Sequence, residues 1–492
     1  MDPWFVYNGI QKEWPTKKTN RSLKISLNGF WQQQKNTSMN IINPATETLI
    51  TTLTPDTATS IADKVQQLKK GQTVWAQTPL TDRVDALERF AAFLQQHLEA
   101  CAEILSMEVG KPLQQARNEV NGACARIAWL TSNASKYLSE EWMVTEGGTK
   151  EKIVYEPLGV VCNISAWNYP YLVGTNVFVS ALLAGNAVLY KPSELASLSG
   201  MQIQKYLYAA GIPEDVFQIA IGDRQVGEIL LDADLDGYFF TGSYKTGKYI
   251  YVRVATKMKP CGLELGGKDP LYVTDDITDI AAVAAGTADG AFYNNGQSCC
   301  SVERIYVHEA VYDEYVAAFV KEVKSYQVGD PEADGTYIGA LTRRDQPAFL
   351  AAQVADALAK GATVLCGGKQ IDRKGYYFEP TVITHVTHGM DLMREESFGP
   401  IIGIMKVSSD TEAIRLMNDT KYGLTAAVYC NDEERALAIQ SALNAGTVYW
   451  NCCDRVSASL PWSGRKNSGF GSTLSHAGLR VFTQPKAYHL RG

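Results

Sequence analysis

The strongest constraint on the fold is an alternation of short apolar runs with longer helical patterns, sustained from Gly159 to about Ala445. Gly159–Ser165, Ala187–Tyr190, Phe217–Ile221 and Gly237–Phe240 each read as a short strand, with helical spacing between them. Parallel strands need crossover connections, usually helices, whereas antiparallel strands can be joined by a tight hairpin. The pattern therefore predicts an α/β fold, a parallel sheet with helices on its faces. After Gly262, Leu263–Lys268 reads as a strand running into a glycine turn. Leu271–Val273 reads as extended, Ile280–Phe292 as a helix and Arg304–Val307 as a strand. A loop rich in Ser, Gly and Cys covers Trp450–Gly471.

The flanks of this alternation differ. Asn40–Leu53 reads as extended, broken by Asn43-Pro44. Helical spacing opens at Ala62, Val65 and Leu68, and runs as one region from Val84 to Leu105. Gly110-Lys111-Pro112 breaks it, and a further helix covers Gln114 to Ala134. Trp142–Val144 and Ile153–Tyr155 read as a hairpin turned by Glu146-Gly147-Gly148. Leu479–His489 reads as extended around Pro485. Residues 1–38 are polar and irregular without an apolar h-region, so they read as an extension rather than a secretory signal.

Composition excludes several function classes. The chain of 492 residues carries a net charge of −7 and a pI near 5.6, which argues against nucleic acid or an anionic membrane as partner. No apolar run is long enough to cross a membrane. Ten cysteines form neither a dense framework nor a C-x-x-C, so they read as reduced thiols in a cytoplasm. His385 and His388 read as a surface pair, and no metal site is expected.

Five short stretches carry polar chemistry. Gly296-Gln297-Ser298 delivers two adjacent cysteines, Cys299 and Cys300, at the mouth of a turn, where a thiol is a candidate nucleophile. Gly242 and Gly247 bracket Ser243 at a helix start, where backbone N–H groups favour phosphate. Lys191-Pro192-Ser193-Glu194 leaves the C-terminal end of a strand, where open α/β sheets bind ligands. Asn168 follows another strand, and its amide can donate to an oxyanion. Glu264, 35 positions before Cys299, can serve as a general base toward water. Each stretch alone also fits a bland account: a buried thiol, a helix start, a solvated ion pair, a turn, a surface glutamate.

Together, their order and spacing resemble the aldehyde dehydrogenase superfamily, from Asn43-Pro44 to the C-terminus. The resemblance is carried by Glu264-Leu265-Gly266-Gly267-Lys268, Gly296-Gln297-Ser298-Cys299, Glu395-Glu396-Ser397-Phe398-Gly399-Pro400 and Pro461-Trp462-Ser463-Gly464-Arg465-Lys466. It implies Cys299 as nucleophile, Asn168 as oxyanion donor and Glu264 as hydrolytic base. It also implies cofactor contacts from Ala166, Trp167, Lys191, Pro192, Ser193, Glu194, Gly242, Ser243, Gly247, Glu396 and Phe398. NAD is expected rather than NADP, because Glu194 would repel a 2′-phosphate. The implied architecture is a Rossmann-like cofactor domain (39–137 and 158–262), an α/β catalytic domain (263–474) and a small β oligomerisation extension (138–157 and 475–492). The expected partners are a small-molecule aldehyde and further copies of the chain, as a homodimer or homotetramer.

The substrate tunnel departs from its relatives. Tyr169, Tyr293 and Trp462 match aromatic positions that surround an ammonium in betaine aldehyde and aminoaldehyde dehydrogenases. Asn176 stands where those relatives have another aromatic, and where several succinic semialdehyde dehydrogenases have an arginine. The sequence thus favours an amino or betaine-type aldehyde and counts against a dicarboxylic one. A broad-range aldehyde dehydrogenase and a non-catalytic protein of the same fold are the alternatives. Val177 and Thr473 replace a lysine and a glutamate that many relatives couple to the general base, which predicts a different proton route from Glu264.

Overall fold

Strands buried on both faces must lie inside a helix-covered sheet. Ala187–Lys191 and Asp269–Val273 are buried at every residue, and Val160–Ile164 at four of five. The computed structural model describes residues 38–491, so all but the last residue of the N-terminal extension lies outside it. These strands are central in two sheets, one of six strands and one of seven.

The six-stranded sheet runs Gly469–Phe470, Cys261–Leu265, Gly237–Gly242, Val160–Ile164, Ala187–Lys191, Phe217–Ile219. All pairs are parallel except the first. The chain winds outward from Val160–Ile164 on one side, then crosses to Gly237–Gly242 on the other. Ligands bind at the carboxyl ends of strands where the order reverses in this way. Here those ends lead into Ser165–Asn168 and into Ser243.

The seven-stranded sheet runs Thr363–Cys366, Thr381–Thr384, Ile401–Val407, Val302–His308, Asp269–Val273, Thr425–Tyr429, Thr447–Trp450. Only its first pair is antiparallel. A three-stranded antiparallel sheet joins Thr483–Arg491, Thr149–Pro157 and Glu141–Val144. Met39–Ile42 and Leu49–Leu53 form a separate antiparallel pair.

Two helical expectations need correction. The single region from Val84 to Leu105 is two helices, Leu80–Gln96 and Leu98–Val109. His97 breaks it at φ −112° and ψ 29°, with its ring stacked on Tyr206 at 5.0 Å. The break lets both helices pack on the long helix Leu113–Leu138. Near the C-terminus, Ser475–Arg480 is helical, and the strand begins only at Thr483. Leu479 and Phe482 are fully buried, so burial rather than extension decides that segment.

Candidate active site

The turn before Cys299 is built from left-handed residues. Asn294, Asn295 and Gly296 have φ of 52°, 58° and 66°, a region open to Asn and Gly but costly for other side chains. A Cβ at Gly296 would sit 2.4 Å from the Gly399 carbonyl. Side-chain anchors hold this geometry. Gln115 Oε1 accepts the Asn294 N–H at 2.9 Å, and Asn295 Oδ1 accepts the Gly339 N–H at 2.8 Å. Gln297 Oε1 accepts the Thr342 N–H at 3.0 Å. The turn therefore reaches Cys299 with its polar groups already satisfied.

The two cysteines differ. Cys299 is half-buried, whereas Cys300 is buried and donates to Asp454 Oδ1 at 2.9 Å. The Cys299 side chain, burial and the Asp454 carboxylate hold the Cys300 thiol well above the ordinary thiol range. Cys300 is thus a poor source of thiolate.

Asn168 and the glycine pair that follows Glu264 both meet the same turn. Asn168 Nδ2 donates to the Gln297 carbonyl at 3.0 Å, which leaves its second amide hydrogen free. Lys111 Nζ donates to the Asn168 carbonyl at 2.8 Å and pairs with the buried Glu119, whose Oε1 takes the Tyr171 N–H at 2.9 Å. Glu264 ends the strand Cys261–Leu265, and Gly266-Gly267 carries the chain against the cysteine turn. A Cβ at Gly267 would lie 2.9 Å from the Cys299 carbonyl. Glu264 is not on the surface: burial pushes its carboxyl well above the usual carboxylate range. The Thr473 hydroxyl, 3.5 Å from Oε1, opposes that push, and Oε2 has no protein partner among the described residues.

A second carboxylate loop closes on the glycine pair. Glu396 Oε1 accepts the Gly267 N–H at 3.1 Å, and a Cβ at Gly266 would clash with that carboxylate at 2.2 Å. Burial and the nearby Glu303 push Glu396 up to about 8. Glu303 in turn accepts Ser397 and Phe398 N–H at 2.8 and 2.9 Å, and Lys268 Nζ at 2.6 Å. Phe398, at φ 51°, meets Trp167 edge to face at 5.4 Å.

A cavity of about 640 Å³ opens at the strand ends of the six-stranded sheet. Ala166, Trp167, Lys191, Ser193, Glu194, Gly242 and Ser243 line it. Lys191 is only 4% exposed, so it is not half of a solvated ion pair; its Nζ reaches the Pro192 carbonyl at 3.2 Å and Glu194 at 3.9 Å. Ser243 caps the helix Tyr244–Ala255, leaving that N-terminus directed at the cavity. Pro192 and Gly247 do not line it. Gly247 packs against Leu265, so its missing side chain serves helix-to-strand approach. The volume, the cation, the cavity-lining carboxylate and the helix N-terminus fit a dinucleotide.

Around the thiol, Trp462 and Cys300 share one apolar cluster against which Cys299 packs. The Tyr293 hydroxyl accepts from Asn118 at 3.1 Å. One face of Tyr169 is already taken by Lys111 Nζ, 3.7 Å from the ring centre. Asn176 Oδ1 accepts from Arg126 Nη1 at 2.9 Å. Val177 is buried in the apolar core, while Thr473 bridges by backbone to Trp462 and by side chain to Glu264. Sequence reasoning missed Lys111, Glu119, Arg126, Glu303 and Asp454. All are lone charged residues without motif spacing, and only their full or partial burial marks them. His388, read as a surface residue, is half-buried between the Tyr306 hydroxyl and Asp419.

A half-buried thiol, the Asn168 amide bonded to its turn and the glycine pair after Glu264 packed on that turn accompany a cavity at a helix N-terminus that suits phosphate. The comparisons agree. The profile of the aldehyde dehydrogenase family matches residues 31–488. A peroxisomal aminoaldehyde dehydrogenase 1 of Pisum sativum is 35% identical over 94% of this chain and 95% of its own length. A chloroplastic betaine aldehyde dehydrogenase of Amaranthus hypochondriacus is 33% identical over the same shares. The crystal structure of an NAD-dependent aldehyde dehydrogenase from Sinorhizobium meliloti superposes with a TM-score of 0.90 at 30% identity, covering 93% of this chain and 92% of that one. The chain belongs to the aldehyde dehydrogenase family and oxidises an aldehyde group.

The buried Lys268–Glu303 pair gives a stability prediction. Lys268→Met leaves Glu303 charged and unpaired, so unfolding in urea should show a loss of about 3–5 kcal/mol.

Proposed function

We propose that this enzyme converts an aldehyde to the carboxylic acid through a covalent intermediate on Cys299. The Asn168 bond to the Cys299 turn, with Gly267 just after Glu264 packed on the same turn, carries this reading. The Cys299 thiolate attacks the aldehyde carbon, and the carbonyl oxygen becomes an oxyanion held by the free Asn168 amide hydrogen and the Cys299 N–H. The nicotinamide cofactor, when bound, accepts the hydride that leaves the tetrahedral carbon. A thioester on Cys299 remains. Glu264 takes a proton from water, the water attacks the thioester, and Cys299 departs as thiolate with release of the acid.

The cofactor cavity supports NAD as the acceptor, because Glu194 lines it where a 2′-phosphate would meet a like charge. Lys191, Ser193 and Ser243 would hold the adenosine and pyrophosphate, with Glu396 on the nicotinamide ribose and Phe398 beside the ring. Residues 39–137 and 158–262 are read as the cofactor domain, 263–474 as the catalytic domain, and 138–157 with 475–492 as the oligomerisation extension. Trp142, Met143 and Val144 are exposed on an edge strand, which supports a homodimer or homotetramer. Free thiols throughout support a cytoplasmic setting.

For the substrate, the relatives named above and the tunnel aromatics support an amino or betaine-type aldehyde. The half-buried Asp454 carboxylate, which accepts from Cys300, offers a counter-charge for an amino group. Lys111 on the Tyr169 face weakens the aromatic share of that argument. A broad-range aldehyde dehydrogenase remains the second reading.

A panel of aldehydes followed by NADH absorbance tests the reaction. Cys299→Ala should lower kcat by about four orders of magnitude or more, whereas Cys300→Ala should keep turnover. Turnover surviving in Cys299→Ala would sink the mechanism. Removing the Thr473 hydroxyl removes the one group that favours the charged form of Glu264, so the carboxyl rises further. The acidic limb of kcat against pH in Thr473→Val should therefore move to higher pH. Glu194→Gln should raise kcat/KM for NADP relative to NAD by about five-fold, the worth of one screened charge contact.

A further inference from the structure

Arg126 sits on the long helix Leu113–Leu138, two turns beyond Asn118 on the same face. Asn118 reaches Tyr293, and Arg126 reaches the helix Pro170–Leu183 that follows Asn168 and Tyr169. The guanidinium carries five N–H donors and no acceptor. Only Nη1 is engaged, with Asn176 Oδ1 at 2.9 Å and the Leu172 carbonyl at 3.4 Å. Nε and Nη2 have no protein partner among the described residues, yet neither nitrogen is sealed in the interior.

A second arginine uses its donors differently. Arg304 is fully buried, and all three of its nitrogens are used. They donate to the Lys268, Leu416 and Met417 carbonyls and the Tyr306 hydroxyl at 2.9–3.1 Å. Arg126 by contrast holds an unfilled fork, and no carboxylate pairs with it among the described residues. Glu119, the nearest acid on its own helix face, is committed to Lys111 and Tyr171. Burial holds the Arg126 guanidinium below its ordinary range, and Cys300, Glu119, Cys299 and Tyr169 are the nearby groups that oppose that shift.

The arginine that Asn176 denies to this site in sequence is thus delivered from the facing helix. We propose that Arg126 is a specificity-determining residue of the tunnel, its free N–H groups receiving a carboxylate of the substrate. The preferred aldehyde then carries an anionic group besides the aldehyde. This deepens, and rests on, the reading of Cys299 as the nucleophile of the same tunnel. An amino group on that substrate has its own counter-charge in Asp454, so an aldehyde bearing both charges satisfies the tunnel fully.

The test compares adipic semialdehyde, hexanal and betaine aldehyde on the wild-type enzyme, Arg126→Gln and Arg126→Lys. Wild type should favour adipic semialdehyde over hexanal. Arg126→Gln should lower kcat/KM for adipic semialdehyde by about 10- to 100-fold, the worth of a hydrogen bond between charged groups. Hexanal should change little, and Arg126→Lys should recover part of the loss. An equal fall for all three aldehydes, or no change for any, overturns the proposal. If wild type oxidises none of the three, the reaction itself is misread. The proposal is then judged by calorimetry of adipate on Cys299→Ala with and without Arg126→Gln. Binding that needs Arg126 supports it, and absent or unchanged binding overturns it.

Discussion

The site depends on one buried ion pair. Lys268 immediately precedes one strand of the seven-stranded sheet and Glu303 lies on its neighbour, each a few residues from a candidate site residue. Lys268 closes the turn that begins at Glu264, and Glu303 follows Cys299 by four residues. The pair also reaches outward, because Glu303 takes the backbone N–H groups of Ser397 and Phe398 and Lys268 bonds the Ser397 hydroxyl at 2.9 Å. The Glu264 turn, the Cys299 turn and the Glu396 loop are therefore tied to a single charged centre. Such a pair adds little net stability over an apolar pair, but breaking it strands a charge, so its geometry is held firmly.

Charge is separated around the thiol in the same way. Cys300 donates to Asp454, which leaves Cys299 as the thiol of the pair that is not bonded to a carboxylate among the described residues. Glu264 is kept protonated more readily than a surface acid, because burial disfavours its charge. The glycine pair Gly266-Gly267 makes these distances possible, since a side chain at either position would occupy the space of Glu396 or of the Cys299 carbonyl.

Much of the fold was legible in the residues. The strands at Val160–Ile164, Ala187–Lys191 and Gly237–Gly242 appeared as apolar runs because both faces are covered, and the helix Ile280–Phe292 matched residue for residue. His97 was not legible as a break, since its conformation answers to a ring on another helix rather than to its neighbours. Leu479 read as extended because a short buried helix and a strand start offer the same apolar residues.

The site divides along the same line. Sequence by itself determined the α/β class and the motif residues Cys299, Glu264 and Asn168, because glycine turns and strand ends leave a local signature of spacing. Only the tertiary structure decided that Cys300 is tied to Asp454, that Glu303 anchors the Glu396 loop, and that Arg126 stands beside Asn176. Those contacts join residues from about 50 to more than 150 positions apart in the chain, and no local pattern marks them. What identifies them is burial of a charge with or without a partner, a property that exists only once the chain has folded.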